Sequence, residues 1–382
     1  MKSKIKIAHV LHSVGGVDVS LRLILENIDN EKFENIIVHG IHDTNVNFVD
    51  KIGDKVLNYR ITIFRDISFF NDIKALMETY TILKKERPDL IHAHSAKGGV
   101  IGRIVGKLLG IKVLYTPQAF SYLSTQNKIK RLLFLLIERT LIFNNNFLLA
   151  SSDSEKERAI NEVGYPENKT LVFNNCVNEI VNTEELKIKK TWPDNYICTV
   201  GRPSFQKNIE LMIGVFNELN KSQKTHLVVM GVGHHVGQLE SVKKMINDLK
   251  MQADVTLLEW TNRSDVFNII KNSKLYISTA RYEGLPYSII ESLALSKACV
   301  VSDCDGNRDL IKEGYNGFVI KNEDIKEYSV KILKLLNDKD MLEQLSKNAY
   351  KSFSDNFNMS KNIRNLEKIY ESYIYDSKDV KR

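Results

Sequence analysis

Cysteine is scarce in this 382-residue chain. The four present, Cys176, Cys198, Cys299 and Cys304, form no CxxC pair. Cys198 and Cys299 sit in apolar runs and read as small buried hydrophobes. The pattern fits a reducing cytosol. No apolar stretch reaches the roughly 18 to 20 residues needed to span a bilayer. The strongest run, Leu132 to Ile137, is far too short. Ile5–Leu11 is broken by Lys6 and His9 and lacks a cleavage site, so no secretory signal is expected. No GxGxxG follows the first apolar run, which argues against a dinucleotide site. His92 and His94 alternate on one strand and share a face, but no third ligand accompanies them and no metal site is expected.

The composition that remains is that of a globular protein, with 43% hydrophobic and 26% charged residues. The length suits two domains of middling size better than one core. The net charge of +7 fits an anionic small molecule, a phospholipid surface or nucleic acid, and does not choose among them.

Short strand-like runs alternate with helical ones, the signature of βα units on a parallel sheet. Ile5–Leu11 reads as the first strand, followed by a glycine loop and a helix to about Ile28. Asn35–Ile41, Asp89–His94, Lys112–Thr116, Phe147–Ala150 and Leu171–Phe173 continue the strand series. Residues 178–195 are polar, charged and carry Pro193, which reads as a linker. The pattern then restarts at Tyr196–Val200, and from Ile325 onward the chain is helical. The expected fold is α/β, with two facing Rossmann-like doubly wound domains at 1–180 and 190–355. A helical tail at 356–382 is expected to pack back on the first domain. Ligands of open α/β sheets bind at the carboxyl ends of strands, so the cleft between two such sheets is the natural site.

Three segments carry chemistry. Glu283-Gly-Leu-Pro-Tyr-Ser-Ile-Ile-Glu291 follows a strand and opens a helix. Pro286 fits the first helical turn, and the helix amino end suits an anion. Carboxylates before and on that helix suit sugar hydroxyls, because each can accept two hydrogen bonds. Val200-Gly-Arg-Pro-Ser-Phe-Gln-Lys207-Asn208 places Arg202 and Lys207 around a turn, a pairing of planar and mobile cations that suits a diphosphate. The loop with Gly15 and Gly16 lets a phosphate or sugar approach the backbone. Asp303-Cys304-Asp305 spells a DxD, but after a strand it reads as a capped loop rather than a metal site. His234-His235 reads as a solvated loop.

Together these segments resemble the family-4 glycosyltransferases of GT-B fold. The resemblance spans nearly the whole chain. It includes PDLIHAHSAKGG at 88–99, IER at 137–139 with the later LLASSDSEKE, VGR…KN, EGLP with its E-x7-E spacing, and GYNGFVI at 314–320. It implies that Arg202 and Lys207 bind the donor diphosphate, Glu283 the transferred sugar and Glu291 the ribose. The backbone at Gly284, Leu285 and Pro286 would line the sugar–phosphate region, with Gly15 and Gly16 completing the donor site. His94, Lys97 and Gln118 would face the acceptor. Front-face attack is implied, with a donor phosphate oxygen taking the acceptor's proton and the anomeric configuration retained. No cofactor or metal is implied beyond the nucleotide-diphosphate sugar, expected to be a UDP-hexose or UDP-N-acetylhexosamine. A lipid-linked oligosaccharide of capsule, O-antigen or exopolysaccharide synthesis is the expected acceptor. The expected location is cytoplasmic, peripheral on the inner face of the membrane, with no nucleic-acid partner.

Two departures stand out. Gln118 replaces a histidine common after Thr-Pro in relatives, and Gln118 can neither act as a base nor carry charge. Val232 replaces an acidic residue in the turn Gly231-Val232-Gly233. Two rival functions remain: a GT-B-like nucleotide-sugar epimerase and a non-catalytic sugar-binding module. The segment Lys128–Arg139 is basic at its start and apolar after, which suits an anionic membrane. Because Leu132 to Ile137 is apolar on all faces, a core helix is the expected reading.

Overall fold

Strands rich in Ile, Val and Leu can be buried on both faces, which a parallel sheet between helical layers requires. The computed structural model describes residues 4–64, 67–233 and 238–375. His234 and His235 lie outside the described residues. Two compact units are present: Met1–Asn178 with Met359–Arg382, and Glu179–Asn358.

Unit 1 runs β1 (Ile5–Leu11), α1 (Gly16–Leu25), β2 (Phe33–Gly40), β3 (Leu57–Ile61), α2 (Phe69–Glu86), β4 (Leu90–His94), α3 (Ser95–Leu109), β5 (Lys112–Thr116), α4 (Lys128–Thr140), β6 (Asn146–Ala150), α5 (Asp153–Arg158) and β7 (Thr170–Val172). Unit 2 runs β8 (Tyr196–Val200), α6 (Ile209–Leu219), β9 (His226–Met230), α7 (Leu239–Asp248), β10 (Val255–Leu258), α8 (Arg263–Asn272), β11 (Tyr276–Ser278), α9 (Tyr287–Ala294), β12 (Cys299–Ser302), α10 (Asn307–Leu310), β13 (Gly317–Ile320), α11 (Ile325–Asn337) and α12 (Lys339–Asn356). The last helix, α13 (Met359–Tyr375), belongs to unit 1.

The strand orders are β3-β2-β1-β4-β5-β6-β7 and β10-β9-β8-β11-β12-β13. All pairings within both sheets are parallel. Each order reverses once, at β1/β4 and at β8/β11, and a reversal opens a crevice at the strands' carboxyl ends. β3 is not foreseen in the sequence, because its residues are mostly exposed and carry little apolar signal. The segment read as a linker has no regular elements, yet it is fastened to unit 2. Trp192 is buried, the Lys187 amide donates to Asp265 Oδ1 at 2.7 Å, and Asn268 Nδ2 donates to the Glu184 carbonyl at 2.8 Å.

In unit 1, α3 lies directly on the sheet because it carries no side chain at the contact. A Cβ on Gly98 would come within 2.3 Å of the Val10 carbonyl oxygen, and one on Gly102 within 2.6 Å of Ala93 Cβ. Charge then ties α3 to α4. Arg103 is fully buried and donates to Glu138 Oε2 at 2.8 Å, and Tyr115 donates to Glu138 Oε1 at 3.0 Å. Glu138 is the one fully buried residue of α4.

The core-helix reading of Lys128–Arg139 is therefore corrected. Phe134 and Leu135 pack on the core, but Ile129, Leu132, Leu133 and Leu136 stay in water, Ile129 at 80% exposure. Their spacing places them on one face. The apolar run serves two faces of the helix, and only one meets the sheet. Among the described residues no helix is long and apolar enough to cross a membrane.

The expectation that His92 and His94 lack a third partner is also corrected. The β1/β4 register sets His9 opposite His92, and all three imidazoles are buried. His9 Nε2 donates to Asn35 Oδ1 at 3.1 Å, so His9 Nδ1 accepts from His94 Nε2 at 3.0 Å. His92 bonds the Tyr370 hydroxyl of α13 at 2.7 Å and Thr116 at 2.9 Å. One ring nitrogen from each of the three lies within 4.8 Å of the others, and within the cluster only His94 Nδ1 has no hydrogen-bond partner.

Burial holds His9 down at about 4 and His92 and His94 well below their usual value of 6.5. An unfolded chain takes up protons below about 6.5 that the fold refuses, so stability falls as pH drops from there toward about 4. Each imidazole contributes about 1 kcal/mol between pH 6.5 and 5.5, because the unfolded group is already half protonated at 6.5. Urea titrations at about pH 6.5 and 5.5 should show a loss of about 3 kcal/mol, reduced by roughly a third in His92→Phe. A pH-independent midpoint would show that the cluster is charged or open.

Candidate active site

Two loops follow the central strands of unit 2, and the topology makes them neighbours. The first leaves β8 at Gly201 and enters α6 at Asn208, which adopts a left-handed conformation at φ 51°. The second leaves β11 at Thr279 and enters α9 after Pro286. They are stapled together at several points. Thr279 Oγ1 donates to the Asn208 carbonyl at 2.9 Å, and the Arg281 amide donates to the Gln206 carbonyl at 2.8 Å. Arg281 Nη1 donates to the Phe205 carbonyl at 2.9 Å.

The charged residues meet at that junction. Lys207 Nζ donates to Glu283 Oε1 at 2.6 Å, and Gln206 Nε2 donates to Glu283 Oε2 and to the Tyr282 carbonyl, each at 3.2 Å. Glu283 is 8% exposed, and a carboxylate so placed is costly unless both its charge and its lone pairs are matched. Gly201, just before the half-buried Arg202, abuts the aliphatic stem of Lys207. The Gly284–Pro286 segment is held from behind: a Cβ on Gly306 would lie 2.5 Å from the Gly284 carbonyl oxygen. Pro286 stands one position earlier than expected, as the N-cap of α9 rather than within its first turn. The helix amino end still carries the positive end of its dipole.

Glu291 is buried on α9 and paired with Arg263 Nη2 of α8 at 2.5 Å. Burial pushes its carboxyl up, and Arg263 pulls against that shift. The DxD carboxylates are matched by a cation of their own. Arg308 donates to Asp303 at 2.8 Å and to Asp305 at 2.6 Å.

Unit 1 scatters its expected residues. Gly15 caps α1 at φ 62° beside open space. The loop before it is set by Asp43, which the sequence did not single out. Asp43 accepts from the Ser13 and Gly40 amides at 2.5 and 2.9 Å and from His12 at 2.6 Å. Burial opposes its charge, but the bonds from His12 and Ser13 outweigh it and hold the carboxyl well below the usual range. His94 is buried in the imidazole cluster, not at an open surface. Lys97 is paired with Asp72 at 2.5 Å. Gln118 and Ala119 both take left-handed conformations, at φ 52° and 75°. Such strain persists only where neighbours enforce it. Glu155 does so, accepting from the Ala119 and Ser151 amides at 2.7 Å each. Gln118 Nε2 is buried without a hydrogen-bond partner. Glu155 and Gln206 were also missed by the sequence reading, since a polar residue gives no local sign of the loop it braces.

Two doubly wound parallel units, one bearing a Lys–Glu junction at its strand-order reversal, define a glycosyltransferase architecture. The family model described as Glycosyl transferase 4-like domain matches residues 15–176, and that described as Glycosyl transferases group 1 matches residues 182–352. A UDP-Gal:alpha-D-GlcNAc-diphosphoundecaprenol alpha-1,3-galactosyltransferase of Escherichia coli is 30% identical, over 96% of this chain and 97% of its own. The capsular polysaccharide biosynthesis glycosyltransferase CapM of Staphylococcus aureus is 25% identical, over 94% and 96%. Among solved structures, sucrose-phosphate synthase from Thermosynechococcus elongatus superposes with a TM-score of 0.84 at 15% identity, covering 98% of this chain and 100% of that one. Anabaena HepE in complex with UDP-glucose gives 0.77 at 17% identity, covering 96% and 100%. The chain belongs to the family-4 glycosyltransferases of GT-B fold.

Arg202→Ala and Lys207→Ala should each lower turnover by about a hundredfold, the usual effect of removing one donor to transition-state charge. Circular dichroism should be unchanged. Near-normal turnover in both variants would remove these residues from the site.

Proposed function

We propose that the protein is a retaining, metal-independent hexosyltransferase of capsule, O-antigen or exopolysaccharide assembly. Its donor is a UDP-hexose or UDP-N-acetylhexosamine, and its acceptor a lipid-linked oligosaccharide. The observation that carries this reading is the Lys207–Glu283 contact at the strand-order reversal of unit 2. The Escherichia coli relative, a UDP-Gal enzyme acting on a diphosphoundecaprenol acceptor by name, supports the choice of donor and acceptor.

In this mechanism Arg202, Lys207 and the amino end of α9 stabilise the departing diphosphate by fixed positive charge. No metal or cofactor is needed for that role. Glu283 orients the transferred sugar, Glu291 the ribose, and Gly15 and Gly16 complete the donor site. His94, Lys97 and Gln118 belong to the acceptor side. The bond from the anomeric carbon to the diphosphate oxygen breaks as the acceptor oxygen bonds that carbon from the same face. The acceptor proton passes to a phosphate oxygen of the leaving group. Gln118 cannot be a base, and burial keeps His94 a poor one. The leaving phosphate remains as proton acceptor. An α-linked donor should therefore give an α-linked product, with a small anomeric proton coupling for a gluco- or galacto-configured sugar, in buffer containing excess EDTA. A large coupling would reveal inversion, and loss of activity restored by Mn²⁺ would revive Asp303 and Asp305 as ligands. Epimerised or free sugar formed without acceptor would favour the epimerase reading, and a bound but unchanged donor the non-catalytic one.

The enzyme works as a peripheral protein on the cytoplasmic face of the membrane. The exposed face of α4 supports this, because Ile129, Leu132, Leu133 and Leu136 are accompanied by exposed Lys128, Lys130 and Arg139. Apolar insertion combined with basic contacts to anionic headgroups is how interfacial helices bind. The protein should pellet with anionic vesicles at low salt and release as salt screens the attraction. Leu132→Glu with Leu136→Glu should abolish pelleting while leaving the fold intact. Unchanged pelleting of that variant would clear α4 of the role.

A further inference from the structure

A third loop reaches the Lys207–Glu283 junction, and it comes from the edge of the sheet. It is the turn after β13, residues 321–324, which enters α11 at Asp324. Two strands, β11 and β12, separate β13 from β8, so strand order does not bring this turn to the Lys207 loop. Helix packing does. Gly214 of α6 stands where Ile325 of α11 packs, and a Cβ on it would come within 3.2 Å of Ile325 Cδ1. The start of α11 is thereby held against α6, and the turn before it meets Asn208.

The turn is strained. Asn322 and Glu323 both adopt left-handed conformations, at φ 55° and 52°. Asparagine visits that region through its short polar side chain, which glutamate lacks. Such strain persists only where the surroundings enforce it. Here it aims Glu323 at two loops of the site. Glu323 Oε1 accepts from Asn208 Nδ2 at 3.0 Å and from Arg281 Nε at 3.1 Å. Asn208 is buried, follows Lys207 directly and gives α6 no side-chain cap. Arg281 holds the other side of Lys207, donating to the Phe205 and Gln206 carbonyls, with its guanidinium 4.7 Å over the Phe205 ring. One carboxylate oxygen thus secures the residues on both sides of Lys207. Stability does not explain the arrangement. The Glu323 side chain is 49% exposed and that of Arg281 30%, and an ion pair so open adds little to a fold.

We propose that Glu323 is a positioning residue for donor binding, acting through Lys207. The inference rests on the reading of the Lys207 loop as the diphosphate side of the donor site. The sign of its effect separates positioning from charge. A carboxylate beside an anion site repels the anion, so on charge alone its removal tightens binding. Positioning predicts the reverse.

The probe is UDP, read by calorimetry on the intact protein, with ADP, GDP or dTDP in its place if one of them gives the larger heat. Glu323→Gly removes the carboxylate and suits the left-handed backbone, so its urea midpoint should hold or rise. It should nonetheless weaken UDP by about threefold to tenfold, as when a hydrogen bond to a charged group is partly lost. Glu323→Gln keeps the accepting oxygen and should bind as the wild type does. In a Lys207→Ala background, itself weakened, Glu323→Gly should cost nothing further. Unchanged or tighter binding in Glu323→Gly, with Lys207→Ala weakened, would overturn the inference and leave the donor site standing. An equal loss in both backgrounds, or a lowered urea midpoint in Glu323→Gly, would show a role independent of Lys207 and would also overturn it. Lys207→Ala binding as the wild type does, or no heat from the wild type with any of the four nucleotides, would overturn the donor reading and the inference with it.

Discussion

The Lys207–Glu283 ion pair is the contact on which the loop junction of unit 2 depends. Two charges removed from water cost several kcal/mol each unless they are paired and their remaining hydrogen-bonding capacity is used. Lys207 matches one oxygen of Glu283, and Gln206 reaches the other. The pair can form only because β8 and β11 are neighbours, which brings the two loops together at the strands' carboxyl ends. The staples from Thr279 and Arg281 then hold the loops in place before any ligand arrives. A site fixed in advance needs little reorganisation when charge develops on a leaving group.

Unit 1 uses buried polar groups differently. Arg103 and Glu138 are both removed from water, and with Tyr115 and Tyr165 they form a closed network between α3, α4 and the sheet. This network anchors α4 by charge on one side and leaves an apolar face on the other. The imidazole cluster ties β1 and β4 to α13 through the Tyr370 hydroxyl. The carboxyl-terminal helix is thereby bound to the sheet formed by the amino-terminal strands. Glu367 adds a second link by accepting the Asp29 amide at 2.9 Å.

Strain in unit 1 is concentrated at Gln118–Ala119. Two consecutive non-glycine residues in left-handed conformations carry a cost of order 1–3 kcal/mol each. Glu155 balances part of that cost by accepting backbone amides on both sides of the loop. Gln118 Nε2 is buried there without a hydrogen-bond partner.

The sequence by itself determined the two-fold α/β plan, because the alternation of apolar strands with helices is local and survives translation into three dimensions. It also singled out charged residues that the fold brings into neighbouring loops, since Arg202, Lys207 and Glu283 sit in turns whose glycines and proline are visible in the chain. β3 escaped notice because an exposed edge strand has no apolar period to read. Only the tertiary structure decided which side chains meet. His9 joins His92 and His94 through strand register, Glu155 reaches back across 36 residues to brace Ala119, and Gln206 finds Glu283 across 77. The fate of Leu132–Ile137 was equally a tertiary matter. Hydrophobicity says that a residue prefers to leave water, but whether a sheet covers both faces of a helix or only one depends on where the neighbouring elements lie.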